Sequence, residues 1–405
     1  LEGYSAQKNG LKIGDEVIKI DGIDIRQKSR QESSDLMKGQ VNTPVSLTVK
    51  RYGKESPLKL NFKREKVKIN NVPYSGMVTE DIGYLKLSEF TMQAGKEVKN
   101  AVSALKKEGA EKIILDLRGN PGGLLIEAVN TTNTFIPKGK EVVSTRGKIT
   151  ENNNVYKTLD NPIDIDIPLA VLINSGSASA SEIVAGTIQD YDRGVIIGQK
   201  SFGKGLVQVT RPLSYNSQLK VTTAKYYTPS GRCIQALDYS HRNPDGSVGK
   251  VPDSLKVAFT TTNNRTVYDG GGIDPDILVK TDDTSPIAYT LYVKGHIFDY
   301  ATKYHFEHKT IESTKDFRLT DAEYEDFKKW LRDKDYGYTT RVEKNLRSLA
   351  ANAKEEKYFK DIEADLKRLE AQLEKSKEND LNDFKDQIVK MLEKEIATRY
   401  YFEKG

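Results

Sequence analysis

The run Asn174-Ser-Gly-Ser-Ala-Ser-Ala-Ser-Glu182 follows an apolar strand pattern and leads into a helical one. Small residues there let a backbone approach a substrate closely, and the free N–H groups of a helix start point outward. A serine at such a start can set its hydroxyl beside those donors, as acyl transfer requires. The same residues would also simply fill a tight strand–helix crossing and cap the helix. On this segment alone both readings stand.

A second segment is Gly198-Gln-Lys-Ser-Phe-Gly-Lys-Gly205, in which Lys204 sits between two glycines after an apolar strand. Glycines let such a loop turn inward. Burial disfavours a charged amine, and a drop of about 3 units from about 10.4 corresponds to roughly 4 kcal/mol. A neutral lysine can then take a proton from a serine, as in Ser-Lys variants of the triad. The other readings are a surface turn or a phosphate-type loop. The latter needs Ser or Thr after the lysine, where this chain has Gly205.

The elements around these segments read as α/β over residues 67–283. Lys112 to Leu117 is a strand pattern, followed by Gly119-Asn-Pro-Gly-Gly123 and a helical stretch from Leu124 to about Phe135. Leu169 to Ile173 is a strand, 174–176 a loop, Ala178 to Asp190 a helix, and Val195 to Ile197 another strand. Strand, Gly-rich turn and helix, repeated, predict a layered sheet with active groups at the turns. Residues 1–66 read as a small mostly-β module: Val17 to Ile20 is a strand before the turn Asp21-Gly22, residues 31–38 permit a helix closed by Gly39, and Val45, Leu47 and Val49 alternate. Residues 284–405 change character. Phe359, Ile362, Leu366, Leu369 and Leu373 form one amphipathic seam, and Leu381, Phe384, Ile388 and Leu392 a second after a break at 376–380, a pattern of helices packing within the chain.

Together the two chemical segments resemble the C-terminal processing (tail-specific) peptidase family, with its Ser-Lys dyad, over about residues 1–283. The carriers are Gly-Ser-Ala-Ser-Ala-Ser-Glu at 176–182 and Ser-Phe-Gly-Lys-Gly-x-Val-Gln at 201–208. The resemblance implies an α/β (α+β) multidomain chain with a crotonase/ClpP-like peptidase core. It puts the nucleophile on Ser179, the general base on Lys204 and a lysine-holding glutamine on Gln208. Alternation along an extended chain would put 204 and 208 on one side. Ser177 and Ser181 are the rival nucleophiles, read as a loop or cap residue and a helix residue facing elsewhere. Asp116-Leu-Arg-Gly-Asn-Pro-Gly-Gly123 resembles the oxyanion turn, implying a hole built from the N–H of Gly122 or Gly123 with that of Ala180. Pro and two Gly would also suffice for a purely structural bend. Tyr227-Thr-Pro-Ser-Gly-Arg-Cys-Ile-Gln235 and Gly272-Ile-Asp-Pro-Asp-Ile277 read as scaffold, and Cys233 as a passive thiol.

The first module resembles a PDZ domain through Ser5-Ala6, Leu11, Gly14-Asp15 and Ile20-Asp-Gly22. PDZ domains hold a peptide C-terminus by strand addition. The carboxylate-binding loop and first strand are expected before Leu1, as is any targeting segment, since the chain opens without Met. The resemblance implies protein or peptide substrates with free C-terminal tails and action in the bacterial cell envelope, periplasmic or extracytoplasmic. For the C-terminal helices two readings stand, a homodimer through them or packing on the core. No cofactor or metal is implied, and no His-Glu-x-x-His occurs.

Composition bounds these readings. The net charge of +5 comes from 63 basic and 58 acidic residues in a chain of 405. That near-balance, without a Lys/Arg block, argues against nucleic acid. One cysteine excludes an intrachain disulfide. Three rivals remain. Ser201-Phe-Gly-Lys204 matches the Ser-x-x-Lys of penicillin-recognising enzymes, but Gly203 and Gly205 oppose the helix that motif needs. A Ser-His-Asp hydrolase would need one of four histidines, and His241 lies in a polar segment while the others lie in the C-terminal region. A non-enzymatic PDZ scaffold would more readily lack Lys204.

Overall fold

Ile113 and Leu115, Val171 and Ile173, and Ile196 are buried residues of three short parallel strands, Lys112–Asp116, Leu169–Ile173 and Val195–Gly198. Strands rich in Ile, Leu and Val on both faces suit a sheet covered on both sides. In the computed structural model these strands are the middle of a six-stranded sheet. Across it run Ile277–Leu278, Val195–Gly198, Leu169–Ile173, Lys112–Asp116, Ile82–Lys86 and Tyr74–Met77. Only the Tyr74–Met77 edge is antiparallel.

Register aligns the carboxyl ends. Leu172 lies beside Asp116, and Ile173 beside Gly198. The turns leaving the three strands therefore gather at one edge of the sheet, the edge where open α/β sheets bind ligands. Helices Ala94–Lys107, Leu125–Thr132 and Ala180–Asp190 complete the layers, and every residue of the last is buried. The helix expected from Ala178 starts at Ala180, and the one expected to reach Phe135 ends at Thr132. A second, antiparallel sheet orders Leu206–Pro212, Gln218–Tyr227, Glu141–Gly147 and Asn154–Lys157.

The described residues are 2–280 and 284–402. They divide into two units, residues 69–280 just outlined and residues up to 68 joined by those from 284. The expected division between 283 and 284 abuts residues 281–283, outside the described residues, as does Leu1. In the other unit, Ile23–Asp24, Glu16–Ile20, Pro44–Lys50 and Leu58–Lys63 form an antiparallel sheet over Ile20, Val45, Leu47 and Val49. The helix expected over 31–38 runs Arg30–Met37, opened by a Ser29/Glu32 capping box. Lys38, already extended, ends it one residue before Gly39.

The C-terminal helices share a core of Tyr300, Tyr324, Phe327, Ile388, Leu392 and Ile396. The second expected seam lands in that core, through Ile388 and Leu392 of helix Lys385–Tyr401. The first does not. On helix Phe359–Lys377 only Leu366 of that seam is buried, and Leu369 is 45% exposed. Among the described residues, no helix is long and apolar enough to cross a membrane.

Candidate functional site

Asn120 ties the first turn to the second. Its side-chain amide donates to Leu87 O (2.8 Å) while its Oδ1 accepts the Gly122 N–H (2.9 Å). Its backbone oxygen accepts both the Ala178 N–H (3.0 Å) and the Ser181 hydroxyl (2.9 Å). Asn174 does the same from the other side, its Oδ1 accepting from Gly119 and Gly176. The turn 117–123 is thereby held against the segment that enters helix Ala180–Asp190.

Ser179 is the residue before that helix, with φ 56° and ψ −112°. A non-glycine residue in this region is strained, at a cost of order 1–3 kcal/mol. Strain at a strand-to-helix turn presents a side chain outward, as at a nucleophile elbow. Gly122 packs directly behind it: a side chain there would begin 2.8 Å from Ser179 Cβ and 2.9 Å from Ala180 N. The three serines of the segment differ sharply. Ser177 is buried and its hydroxyl donates to Leu117 O (2.8 Å), and the buried Ser181 hydroxyl is held by Asn120 O. Ser179 is half-buried, and its hydroxyl lies within hydrogen-bond reach of the Tyr226 phenol.

Glu182, one turn into the helix, is fully buried. Its Oε2 accepts the backbone N–H groups of Ser179 (2.8 Å) and Lys204 (2.9 Å). Its Oε1 accepts the Gly203 N–H (2.7 Å) and the Ser201 hydroxyl. Four donors suit an acceptor-only carboxylate. Burial nevertheless pushes the Glu182 pKa above its ordinary value. Lys204 itself is half-buried. Its two glycines are dictated by packing, since a side chain on Gly203 would meet Ala236 Cβ at 2.3 Å and one on Gly205 the Gln235 N at 2.8 Å. The buried Tyr226 donates its hydroxyl to Lys204 O. Burial first, then the Glu182 charge, hold this phenol well above its usual pKa, so it stays protonated.

The two glycines of the turn 117–123, Gly122 and Gly123, are not equivalent. The Gly122 N–H is occupied by Asn120 Oδ1. Among the described residues, no acceptor is recorded for the N–H of Gly123 or of Ala180. Gly123 has φ 148°, and a side chain on it would start 2.3 Å from Phe90 O. Only glycine fits.

Gln208 departs from expectation. It is exposed, and its side-chain amide donates to Thr222 Oγ1 at 3.4 Å, with no bond recorded to Lys204. Lys204 lies in the non-strand segment 201–205, before strand Leu206–Pro212 begins, so the alternation that placed 204 and 208 together does not reach it. Ser201 is buried, donates to Glu182 and accepts the Ile273 N–H (2.7 Å), in a non-helical segment, so the Ser-x-x-Lys reading fails. His241 sits on strand Leu237–Arg242, exposed, beside Asp238 Oδ2 (2.7 Å). Cys233 is half-buried, and burial pushes its thiol up. Sequence reasoning did not single out Asn120, Glu182 or Tyr226. For Glu182 the visible signal was Ser179-x-x-Glu182, which reads as a capping box.

Residues 81–248 match peptidase family S41, residues 1–51 a PDZ domain, and residues 287–405 the C-terminal helical domain of probable PDZ-proteases. A carboxy-terminal-processing protease of Bartonella bacilliformis is 43% identical over 241 residues, 58% of this chain and 55% of that protein. A probable CtpA-like serine protease of Staphylococcus aureus (strain COL) is 39% identical over 239 residues, 58% of this chain and 46% of that one. Among solved structures, the photosystem II D1 C-terminal processing protease shares 29% identity over 69% of this chain and 66% of its own, with a TM-score of 0.40. The chain spans about half the length of the curated relatives it matches.

Proposed function

This chain carries a family S41 peptidase domain beside a PDZ domain and a PDZ-protease C-terminal helical domain, and on that premise we propose that it is a serine endopeptidase cleaving protein substrates near their C-termini. Ser179 attacks the scissile carbonyl while Lys204 accepts its proton. The tetrahedral oxyanion rests on the N–H groups of Gly123 and Ala180. Lys204 returns the proton to the leaving amine, and water then hydrolyses the acyl-enzyme. Gln208 is the assigned partner of the Lys204 amine, a bond that requires it to leave Thr222.

The observation that carries the reading is the joint clamping of Ser179 and Lys204 by Glu182 Oε2, next to two backbone donors with no recorded acceptor. An oxyanion site of that kind is worth about 10²–10³ in kcat per donor. The PDZ domain recognises substrate tails or gates the core, and acts on free C-terminal tails. A homodimer would form through the C-terminal helices. We place the action of the protein in the bacterial cell envelope, periplasmic or extracytoplasmic.

Mass-spectrometric detection of cleavage in a peptide with an apolar C-terminal tail tests the reading. Ser179→Ala and Lys204→Ala should each abolish it. Retained turnover in either variant sinks the dyad assignment.

A further inference from the structure

Residues 69–280 contain a second feature that the peptidase reading does not absorb. A cavity of about 710 Å³ opens beside the loop that carries Lys204, with Lys200, Lys250 and Lys256 at its polar end and Phe202 and Val251 in its wall. Two of its ammonium groups converge. A side chain on Gly271 would begin 2.9 Å from Lys200 Nζ and 3.2 Å from Lys256 Nζ, so the glycine leaves open the space between them. Like charges this close repel unless anions offset them. Lys200 has Asp274 at 3.0 Å, and Lys256 has Asp253. Both aspartates are more than half exposed, where ion pairs are weak, while the Lys256 side chain is only 16% exposed. Lys250 adds a third positive charge to the two aspartates' two negatives.

The position relates the cavity to the chemistry. Ser175 lines its rim, four residues before Ser179, and the Phe202 N–H donates to Ser177 O (3.0 Å). The segments that lead to Ser179 and to Lys204 thus both border the cavity, through Ser175 and through Ser201 and Phe202. Phe202 is 56% exposed and offers an apolar surface between the cavity and the bulk.

We propose that this cavity is a carboxylate subsite of the peptidase core, in which Lys200 and Lys256 hold an anionic group of the substrate beside the scissile bond. The inference rests on the peptidase reading and deepens it: tail selection is built into the core and does not depend on the PDZ domain alone. The chemistry fits a free C-terminal carboxylate or an acidic side chain near the terminus.

Binding to the full chain carrying Ser179→Ala separates the subsite from turnover. Three peptides of one sequence serve as probes in calorimetry: free acid, C-terminal amide, and an amide with a terminal-proximal Glu. The free acid should bind about tenfold tighter than the plain amide. That ratio should fall toward one in Lys256→Gln and in Lys200→Gln, and persist in Lys256→Arg. A Glu-amide peptide that binds as well as the acid assigns the subsite to side chains and still supports it. Equal binding of all three overturns the proposal, and so does an acid preference that survives both glutamine variants. The peptidase reading fails separately, if the wild-type chain cleaves no peptide or if Ser179→Ala or Lys204→Ala leaves cleavage intact.

Discussion

Ser179 and Lys204 donate their backbone N–H groups to the same oxygen, Oε2 of Glu182, at 2.8 and 2.9 Å. A single buried atom thus fixes the spacing of two segments that lie 25 residues apart in the chain. Glu182→Gln keeps the shape but can offer only one acceptor oxygen, so either Ser179 and Lys204 or Ser201 and Gly203 face an NH₂ donor. Unsatisfied buried donors cost about 1–3 kcal/mol each. The variant should lose about 3 kcal/mol of stability in urea unfolding and at least about a hundredfold in kcat, since a misplacement near 1 Å costs that much. Wild-type kcat in a folded variant would refute the clamp.

The hydroxyls of Ser177, Ser181 and Ser201 all bond protein groups from buried positions. Removing any of them should cost about 1 kcal/mol of stability while leaving peptide cleavage within about tenfold of wild type. Ser179 is the opposite case. Its backbone sits at φ 56°, where glycine is at ease and other residues are not. Ser179→Ala and Ser179→Gly should both be inactive, yet the glycine variant should be more stable by about 1 kcal/mol. Equal melting temperatures for the two would argue against strain at the nucleophile.

How much of this site could be read in the sequence follows from the range of each interaction. The Ser-rich turn, the Gly-Lys-Gly loop and their strands are local patterns, and the sheet formed where those patterns predicted it. Glu182 was visible only as a cap for its own helix, because its contacts with Ser201, Gly203 and Lys204 join segments that meet only in the folded sheet. Tyr226 lies on a strand beyond the scaffold segment and reaches Lys204 across the fold. Gln208 shows the converse: counting along an extended strand paired it with Lys204, but the strand starts at Leu206 and leaves Lys204 in the loop before it. Along the seam of helix Phe359–Lys377 only Leu366 is buried and only Leu369 is exposed, since periodicity marks an apolar face but not how completely it is covered.

The oxyanion turn distinguishes its two glycines. Gly123→Ala drives a methyl group to 2.3 Å from Phe90 O in a backbone conformation alanine avoids. Gly122→Ala meets Ala178 O at 2.6 Å and Ala180 N at 2.9 Å. Both should lower stability by about 2 kcal/mol or more. Asn120→Ala is the informative variant, because it frees the Gly122 N–H without adding atoms. It should reduce kcat by about tenfold or more through loosening of the turn, with little change in KM. A pure KM effect would assign Asn120 to substrate binding instead.

His305 supplies a pH test on the other unit. Burial, followed by the positive charges of Lys12 and Arg399, holds its pKa below the ordinary 6.5, and its Nδ1 has no hydrogen-bond partner among the described residues. The neutral ring is therefore favoured in the folded state. Stability from this residue is fully present above the unfolded-state pKa of about 6.5, and is lost as pH falls from there toward the depressed folded value. Thermal unfolding between pH 7.5 and 5, roughly a unit either side of that midpoint, should show the melting temperature falling on acidification. In His305→Gln, which cannot take up a proton, that fall should be shallower, so the two curves converge or cross toward the acid end. Parallel curves would mean that His305 is not strained by charging. Lys12→Gln should make the wild-type fall smaller and end it at higher pH, because removing one of the two repelling charges lets the folded pKa rise toward the unfolded value, which ties the effect to these neighbours and not to general acid unfolding.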